Sequence, residues 1–137
     1  KVISGLAPSL PLKKPILQAS DRDAGAIQIS RANAERAGVS EFITFTENAI
    51  SAIVPPPTPG WIVSNPPYGL RINSNHDIRN LYAQTGKVLA KACPGWNFAL
   101  LSSHDQLFGQ TRLKLDQSFY FINGGLSVKL YSGIIPT

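Results

Sequence analysis

The chain has 137 residues and a net charge of +5, and 43% of its residues are hydrophobic. This length fits one domain of about 100–150 residues, and the composition excludes a disordered or collagen-like chain. No apolar run approaches the ~20 residues of a membrane span. The single cysteine, Cys93, excludes an internal disulfide framework and a cysteine-based zinc site. We expect a soluble cytoplasmic domain without a metal site.

The hydrophobic pattern predicts strands that alternate with helices. In chain order these are a strand at 15–20, a helix at 24–37, a strand at 42–46, a helical turn at 50–53, a strand at 61–64, a helix at 77–92, a strand at 96–101, a short helix at 104–108, and strands at 113–122 and 126–131. Residues 1–14 are predicted to be a connector, and residues 15–137 to form the folded domain.

This order predicts right-handed crossovers and a mostly parallel sheet. Asn123-Gly124-Gly125 separates the last two strands and is a strong hairpin signal. The predicted fold class is therefore α/β, with a mostly parallel sheet that ends in an antiparallel hairpin. In the first helix, the spacing predicts a buried face of Ala26, Ile29, Ala32 and Ala34.

The positive charge is uneven along the chain. Residues 1–58 carry six basic and five acidic side chains, whereas residues 59–137 carry seven basic and three acidic side chains. The second half is therefore the better candidate for contact with a polyanion such as RNA. An ordinary solvated basic surface would explain the same counts.

Asp21 directly follows the first predicted strand. Ligands of open α/β sheets bind beyond the carboxyl ends of the strands. A carboxylate at this point can accept the hydrogens of both hydroxyl groups of a ribose. The alternative is that Asp21 and Asp23 only cap the next helix.

Asn65-Pro66-Pro67-Tyr68 directly follows the third predicted strand. An exocyclic amino group is a poor nucleophile because its lone pair is delocalised. The Asn65 side-chain carbonyl and the Pro66 backbone carbonyl can each accept one N–H, which favours a tetrahedral nitrogen with its lone pair aimed at an electrophile. The prolines stiffen the turn, and Tyr68 offers a face on which a base can stack. The alternative is an Asn-Pro turn with a buried tyrosine.

These residues resemble a known family. Asn-Pro-Pro-Tyr is the signature of class I S-adenosylmethionine-dependent methyltransferases that act on amino groups. Together with the stretches at 20–24 and 34–38, and with Gly69 and Arg71, it most closely resembles the ribosomal RNA guanine-N2 methyltransferases that commonly accompany a THUMP domain. Asn-Pro-Pro-Tyr alone is shared with adenine-N6 and protein-glutamine methyltransferases, and Gly69 and Arg71 favour the RNA guanine branch.

The resemblance implies a Rossmann-like fold and S-adenosylmethionine as the methyl donor. Asp21 would bind the cofactor ribose. Glu47 or Asn48, which follow the second predicted strand, would contact the adenine amino group.

For the substrate, the resemblance implies that Asn65, Pro66, Pro67 and Tyr68 hold the target guanine. Gly69 and Arg71 would contact the RNA. A surface position explains Arg71 equally well. The guanine N2 would attack the methyl group in line and become acidic as the bond forms, so no strong general base is needed. His76 and His104 are accordingly expected to be surface or capping residues, and Cys93 to be a core residue.

The family pattern also includes a glycine-rich loop after a first, central strand, and this sequence has no such loop. A sheet without its central strand would expose two unpaired edges. We therefore expect the chain to be the C-terminal part of a methyltransferase domain that binds S-adenosylmethionine weakly or not at all by itself. Its partners would be ribosomal RNA, the N-terminal part of the same enzyme and a THUMP domain.

Two other function classes are considered. A non-catalytic RNA-binding or scaffold subunit that completes a partner would use the basic second half and Tyr68. A nicotinamide-dinucleotide domain built around Asp21 would also need the glycine-rich loop, and it leaves the residues from Asn65 to Tyr68 unexplained.

Overall fold

The computed structural model of the chain describes residues 17–67, 75–123 and 125–137. The chain divides into two compact units, Lys1–Ala49 and Ile50–Thr137. The predicted connector at 1–14 lies outside the described residues. Among the helices of the described ranges, none is both long and apolar enough to span a membrane.

The first unit is a β–α–β arrangement. Its elements are β1 (Leu17–Asp21), α1 (Ala24–Arg36), a 3-10 turn (Ser40–Phe42) and β2 (Ile43–Glu47). The two strands pair in parallel, from Leu17 with Ile43 to Asp21 with Glu47, so their carboxyl ends coincide. A small core of Ile27, Ala34 and Phe45 holds the helix on the strands.

Helix α1 begins where the sequence predicts, and Ala34 of the predicted face is buried, but Ile29 and Ala32 of that face are exposed. Asp23 is the N-cap, and its carboxylate accepts hydrogen bonds from the backbone N–H groups of Gly25 and Ala26. The buried positions are Ile27 and Ala34, which lie seven residues apart on one side of the helix. Ile29, predicted to be buried, is 65% exposed because it points away from β1 and β2.

The second unit contains a four-stranded mixed sheet. Its elements are a 3-10 turn (Ile50–Ala52), β3 (Trp61–Ser64), α2 (Asn75–Ala92), β4 (Asn97–Ser102), α3 (Asp105–Gln110), β5 (Gln117–Asn123) and β6 (Leu126–Ile134). The strand order is β3-β4-β6-β5, with β3 parallel to β4 and the β5–β6 hairpin antiparallel. The predicted combination of parallel strands and a closing hairpin is confirmed.

The core of the second unit lies between one face of this sheet and the helices α2 and α3. Its buried members are Leu89, Cys93, Trp96, Phe98, Leu100, Phe108, Leu113, Tyr131 and Ile135. Cys93 is fully buried, as predicted, and burial raises the pKa of its thiol. Burial of this apolar surface is the main stabilising contribution to the unit.

The opposite face of the sheet is apolar and open. Trp61 and Val63 of β3 are 61% and 76% exposed, and Phe119 of β5 is 56% exposed. Strand β3 pairs with β4 on one side, and no strand within the described residues pairs with its other side. Sheets with parallel strands are usually covered on both faces, so this unit presents surface typical of a domain interior.

Candidate active site

The three predicted cofactor residues lie together at one end of the first unit. Asp21 and Glu47 are paired as the last residues of β1 and β2. Asn48 follows directly, and its backbone N–H donates a hydrogen bond to the Asp21 carbonyl oxygen at 2.9 Å. Neighbouring strands lie about 4.8 Å apart, so Asp21 and Glu47 are next to each other at the carboxyl ends of β1 and β2.

The Asp21 carboxylate has a defined orientation. Its Oδ1 accepts a hydrogen bond from the backbone N–H of Asp23 at 2.9 Å, and the side chain is exposed. Capping of α1 is performed by the neighbouring Asp23, whose Oδ1 accepts from Gly25 at 2.7 Å. The two carboxylates therefore have separate environments. An oriented, exposed carboxylate can accept hydroxyl hydrogens of a bound ribose, so the residues present fit this role.

The Asn-Pro-Pro segment lies at the carboxyl end of β3 in the second unit. The pairing of β3 with β4 ends at Ser64, opposite Leu100. Pro66 and Pro67 have no N–H to donate and cannot extend the ladder, which explains why the strand stops there. Asn65 is exposed at this point and Pro66 is half-buried. Tyr68, Gly69 and Arg71 lie outside the described residues.

Strand β4 continues beyond the end of β3 and places polar groups beside this segment. The Ser102 hydroxyl donates to the His104 carbonyl oxygen at 3.2 Å. The Ser103 hydroxyl oxygen is buried and has no hydrogen-bond partner among the described residues. His104 is the exposed N-cap residue of α3, and its side chain makes no capping hydrogen bond. These residues form a Ser-Ser-His run at the end of an apolar strand. From the sequence, we considered only His104 of this run and did not single out Ser103.

A polar cluster of Asp105, Lys129, Tyr131 and Tyr120 also lies on this side of the sheet. Asp105 Oδ1 accepts hydrogen bonds from Lys129 Nζ at 2.8 Å and from the Tyr131 hydroxyl at 2.5 Å. The Lys129 ammonium lies 4.7 Å from the centre of the Tyr120 ring. Lys129 pairs with Ser102 across the sheet, so the cluster is level with the carboxyl end of β4.

The ion pair changes the acidity of both partners. The hydrogen bond from Lys129 is the main reason that the pKa of Asp105 is lowered, and Asp105 in turn raises the pKa of Lys129. Burial, followed by the bond to Asp105, raises the pKa of Tyr131. All three groups thus keep their usual charge at neutral pH. The sequence reasoning missed this cluster, because Asp105 is 24 residues from Lys129 and 26 residues from Tyr131 in the chain.

The predicted site residues therefore fall into two groups, each at the carboxyl ends of parallel strands. Asp21, Glu47 and Asn48 form one group in the first unit, and Asn65, Pro66 and Pro67 form the other in the second unit. No group of three or more metal-ligating side chains exists among the described residues.

Similarity to known proteins gives an independent line of evidence. A family model described as the RMKL-like methyltransferase domain, UPF0020, matches residues 9–132. The ribosomal RNA large subunit methyltransferase K/L of Shewanella frigidimarina is 37% identical over 107 residues, which cover 78% of this chain and 15% of that protein. The chain thus spans a small part of the curated relatives that it matches.

Three solved structures have a similar fold. A protein from Clostridium difficile 630, described as a possible methylase, is 28% identical with a TM-score of 0.82, covering 93% of this chain and 33% of that one. SMU.472, described as a methyltransferase and solved in complex with S-adenosylhomocysteine (SAH), is 25% identical with a TM-score of 0.78, covering 85% and 30%. A protein from Listeria monocytogenes, described as a predicted N6-adenine-specific DNA methylase, is 29% identical with a TM-score of 0.69, covering 84% and 29%.

The family match covers most of the chain and includes both groups of predicted site residues. The chain therefore belongs to the RMKL-like methyltransferase domain family.

Proposed function

We propose that this chain is part of an S-adenosylmethionine-dependent enzyme that methylates the exocyclic N2 of a guanine in ribosomal RNA. The observation that carries the proposal is the position of Asn65-Pro66-Pro67 directly beyond the carboxyl end of β3, in a member of a methyltransferase family. Ligands of open α/β sheets bind at this end of the strands. The resemblance to the guanine-N2 branch supports the choice of amino group.

The first unit supplies the cofactor contacts in this proposal. S-adenosylmethionine supplies an electrophilic methyl group. Asp21, oriented by its bond from the Asp23 N–H, accepts the ribose hydroxyl hydrogens. Glu47 or Asn48, at the end of the adjacent strand, accepts from the adenine amino group. The SAH complex of SMU.472 supports the choice of S-adenosylmethionine as the cofactor, because that structure matches 85% of the chain.

The second unit holds the target amino group. The Asn65 side-chain carbonyl and the Pro66 backbone carbonyl each accept one of its hydrogens, which favours a tetrahedral nitrogen whose lone pair can attack an electrophile. Because two prolines fix the turn, little conformational freedom is lost when the base arrives. Tyr68 stacks on the base, and Gly69 and Arg71 contact the RNA strand. The nitrogen loses a proton to solvent as the new bond forms, so the site needs no strong base.

Adenine N6 is the second candidate target. The same two carbonyl groups can hold its amino hydrogens, and the Listeria relative is described as a predicted N6-adenine-specific DNA methylase. Gly69 and Arg71 are the residues that favour guanine in RNA, by resemblance to that branch. The chemistry of the transfer is the same in both cases.

We also propose that activity requires chain beyond these 137 residues. Within the described residues, β3 pairs with a strand on one side only, and its Trp61 and Val63 are exposed. The matched structures are about three times as long as this chain, which covers 30% and 33% of two of them. The remainder of the enzyme, and a THUMP domain that aids RNA binding, are the partners that the resemblance supports.

Methyl transfer by the full-length protein tests the proposal. Radiolabelled methyl transfer from S-adenosylmethionine to a ribosomal RNA transcript is measured, and the methylated nucleoside is identified by mass spectrometry. Asn65→Ala should lower kcat by about 100-fold or more, as expected when one preorganised polar contact to the reacting group is lost. Asn33→Ala, an exposed asparagine on α1, is the matched control and should retain activity.

The outcomes separate the candidates. N2-methylguanosine supports the proposal, and N6-methyladenosine supports the second candidate. RNA binding without methyl transfer would instead indicate a scaffold subunit. Full activity of Asn65→Ala would overturn the assigned role of the Asn-Pro-Pro-Tyr segment.

A further inference from the structure

A pocket of about 340 Å³ lies between α2 and the segment that follows α3, away from the candidate active site. We call it the α2–α3 pocket. Its lining includes Lys87 and Ala90 of α2, Arg112 and Leu113 after α3, and Pro136. Pro136 follows Ile134, which pairs with the first residue of β4, so the pocket lies at the amino end of that strand. Asn65 follows the carboxyl end of β3, which runs parallel to β4, so it lies at the opposite end of these two strands.

The rim of the pocket carries two cations. Lys87 and Arg112 are exposed, and neither forms an ion pair with a carboxylate among the described residues. Residues 77–116 contain five basic side chains and three acidic side chains, Asp77, Asp105 and Asp116. Asp105 is paired with Lys129, and Asp116 accepts a hydrogen bond from the Ile134 N–H. Basic side chains therefore outnumber acidic ones by two in this stretch.

The backbone at Arg112 does not explain why an arginine stands there. Its φ is +57°, in the left-handed region that glycine and asparagine adopt at lower cost. The tight turn is closed by the Arg112 N–H, which donates to the Gly109 carbonyl oxygen at 3.2 Å. The turn thus needs the backbone of this residue and gains nothing from the guanidinium, which stays available to a ligand.

The apolar part of the lining, which we call the floor, consists of Ala83, Ala90, Leu113 and Pro136. Leu113 is buried, whereas Ala90 and Pro136 are exposed. The Thr111 hydroxyl is satisfied internally, since it donates to the Phe108 carbonyl at 2.8 Å and accepts from the Leu113 N–H. Polar contacts to a ligand would therefore come from the rim, while the floor can pack against a flat apolar group.

We propose that the α2–α3 pocket binds one nucleotide of an RNA strand, with the base on the apolar floor and the phosphate between Lys87 and Arg112. Arginine and lysine side chains recognise phosphate directly, and stacking or packing of the base adds sequence-independent affinity. The inference rests on RNA as the substrate of the proposed function. It adds a second RNA contact, distant from the target base.

The test measures binding of a fluorescent 12-nucleotide single-stranded RNA to the full-length protein at several salt concentrations. Lys87→Gln combined with Arg112→Asn removes both cations, and asparagine tolerates the left-handed backbone. Loss of the contact to one phosphate should reduce the slope of log K against log salt by about 0.7. Between 50 and 200 mM salt, this corresponds to about a 2.6-fold difference in how far the affinity falls.

Two further variants separate a pocket from general charge. Lys91→Gln removes a cation from the same helix outside the pocket lining, and it should change affinity less than either pocket variant. Ala90→Leu fills the floor without changing charge, and it should weaken RNA binding. If Lys91→Gln weakens binding as much as Lys87→Gln, or if Ala90→Leu binds as the unmodified protein does, the proposal is wrong.

The assay also distinguishes this proposal from the proposed function. In methyl transfer, the Lys87 and Arg112 variants should raise KM for RNA and leave kcat and SAH affinity unchanged. If the protein transfers no methyl group but the variants still lose RNA affinity and salt dependence, the proposed function fails and the pocket assignment stands. Micromolar binding of adenosine monophosphate that Ala90→Leu abolishes would assign the pocket to a free nucleotide and overturn the RNA assignment.

Discussion

Replacing Asp21 and Asp23 in separate variants should distinguish the effect of losing a cofactor contact from the effect of losing a helix cap. The two carboxylates are two residues apart, and both accept backbone hydrogen bonds. Asp21 Oδ1 accepts one, from the Asp23 N–H at 2.9 Å, whereas Asp23 Oδ1 accepts two, from Gly25 and Ala26. Only Asp23 is the N-cap of α1. The structure therefore predicts that replacing Asp21 mainly weakens cofactor binding, whereas replacing Asp23 mainly lowers stability.

The expected magnitudes follow from these contacts. Loss of an N-cap aspartate costs about 1 kcal/mol of stability, so Asp23→Ala should lower the free energy of unfolding by that amount. A hydrogen bond to a charged group contributes about 1.5–3 kcal/mol. Asp21→Ala should therefore weaken SAH binding by about 10- to 100-fold, with a smaller change in stability than Asp23→Ala.

Calorimetric titration of SAH and urea unfolding measure the two effects on the full-length protein. Asp21→Asn is a useful companion variant, because it keeps the shape and one acceptor oxygen while removing the charge. The same titration on the 137-residue chain should show weak binding or none. The reasoning would be refuted if Asp23→Ala lost SAH affinity while Asp21→Ala kept it.

Two stability predictions follow from the second unit. Because its ion pair lowers the pKa of Asp105, the stabilising contribution is complete above the ordinary pKa of the carboxyl group and is lost as the pH falls through the lowered value. Asp105→Asn should thus reduce the acid dependence of urea unfolding below about pH 4, and an unchanged pH profile would contradict it. Gly86→Ala should destabilise the protein by about 1–3 kcal/mol, because the new Cβ would lie 1.9 Å from the Thr111 carbonyl oxygen. The control Gly109→Ala meets no atom within 4 Å, so a melting temperature equally lowered in both variants would rule out this explanation.

Element types were predictable from the sequence because local patterns determine them here. The third strand is bounded by Gly60 and Pro66, and its structure matches the predicted range 61–64. The helix at Asn75–Ala92 ends before Pro94, as predicted. The fifth strand was predicted too long at its start, at 113, whereas β5 begins at Gln117. Leu113 packs in the core below α2 and α3 instead, so its apolar character reflects burial rather than strand pairing.

The same distinction explains which parts of the site the sequence could predict. Asp21 is oriented by an amide two residues away, and the end of β3 is determined by the prolines that follow it. Both features are local, so the chain order of residues is sufficient to place them. The Asp105–Lys129 pair joins positions 24 residues apart, and it forms only when β6 pairs with β4. Contacts of this kind depend on the sheet order, which local patterns do not encode.

The α2–α3 pocket depends on long-range packing in the same way. Its two cations, Lys87 and Arg112, are 25 residues apart, and the close approach at Gly86 brings their segments together. Since the Cβ of any other residue at 86 would meet the Thr111 backbone, this glycine determines how near Arg112 lies to α2. Gly86→Ala should therefore alter the pocket as well as stability. If the pocket binds RNA, this variant should lower RNA affinity although it removes no charge and lies outside the Asn-Pro-Pro-Tyr segment.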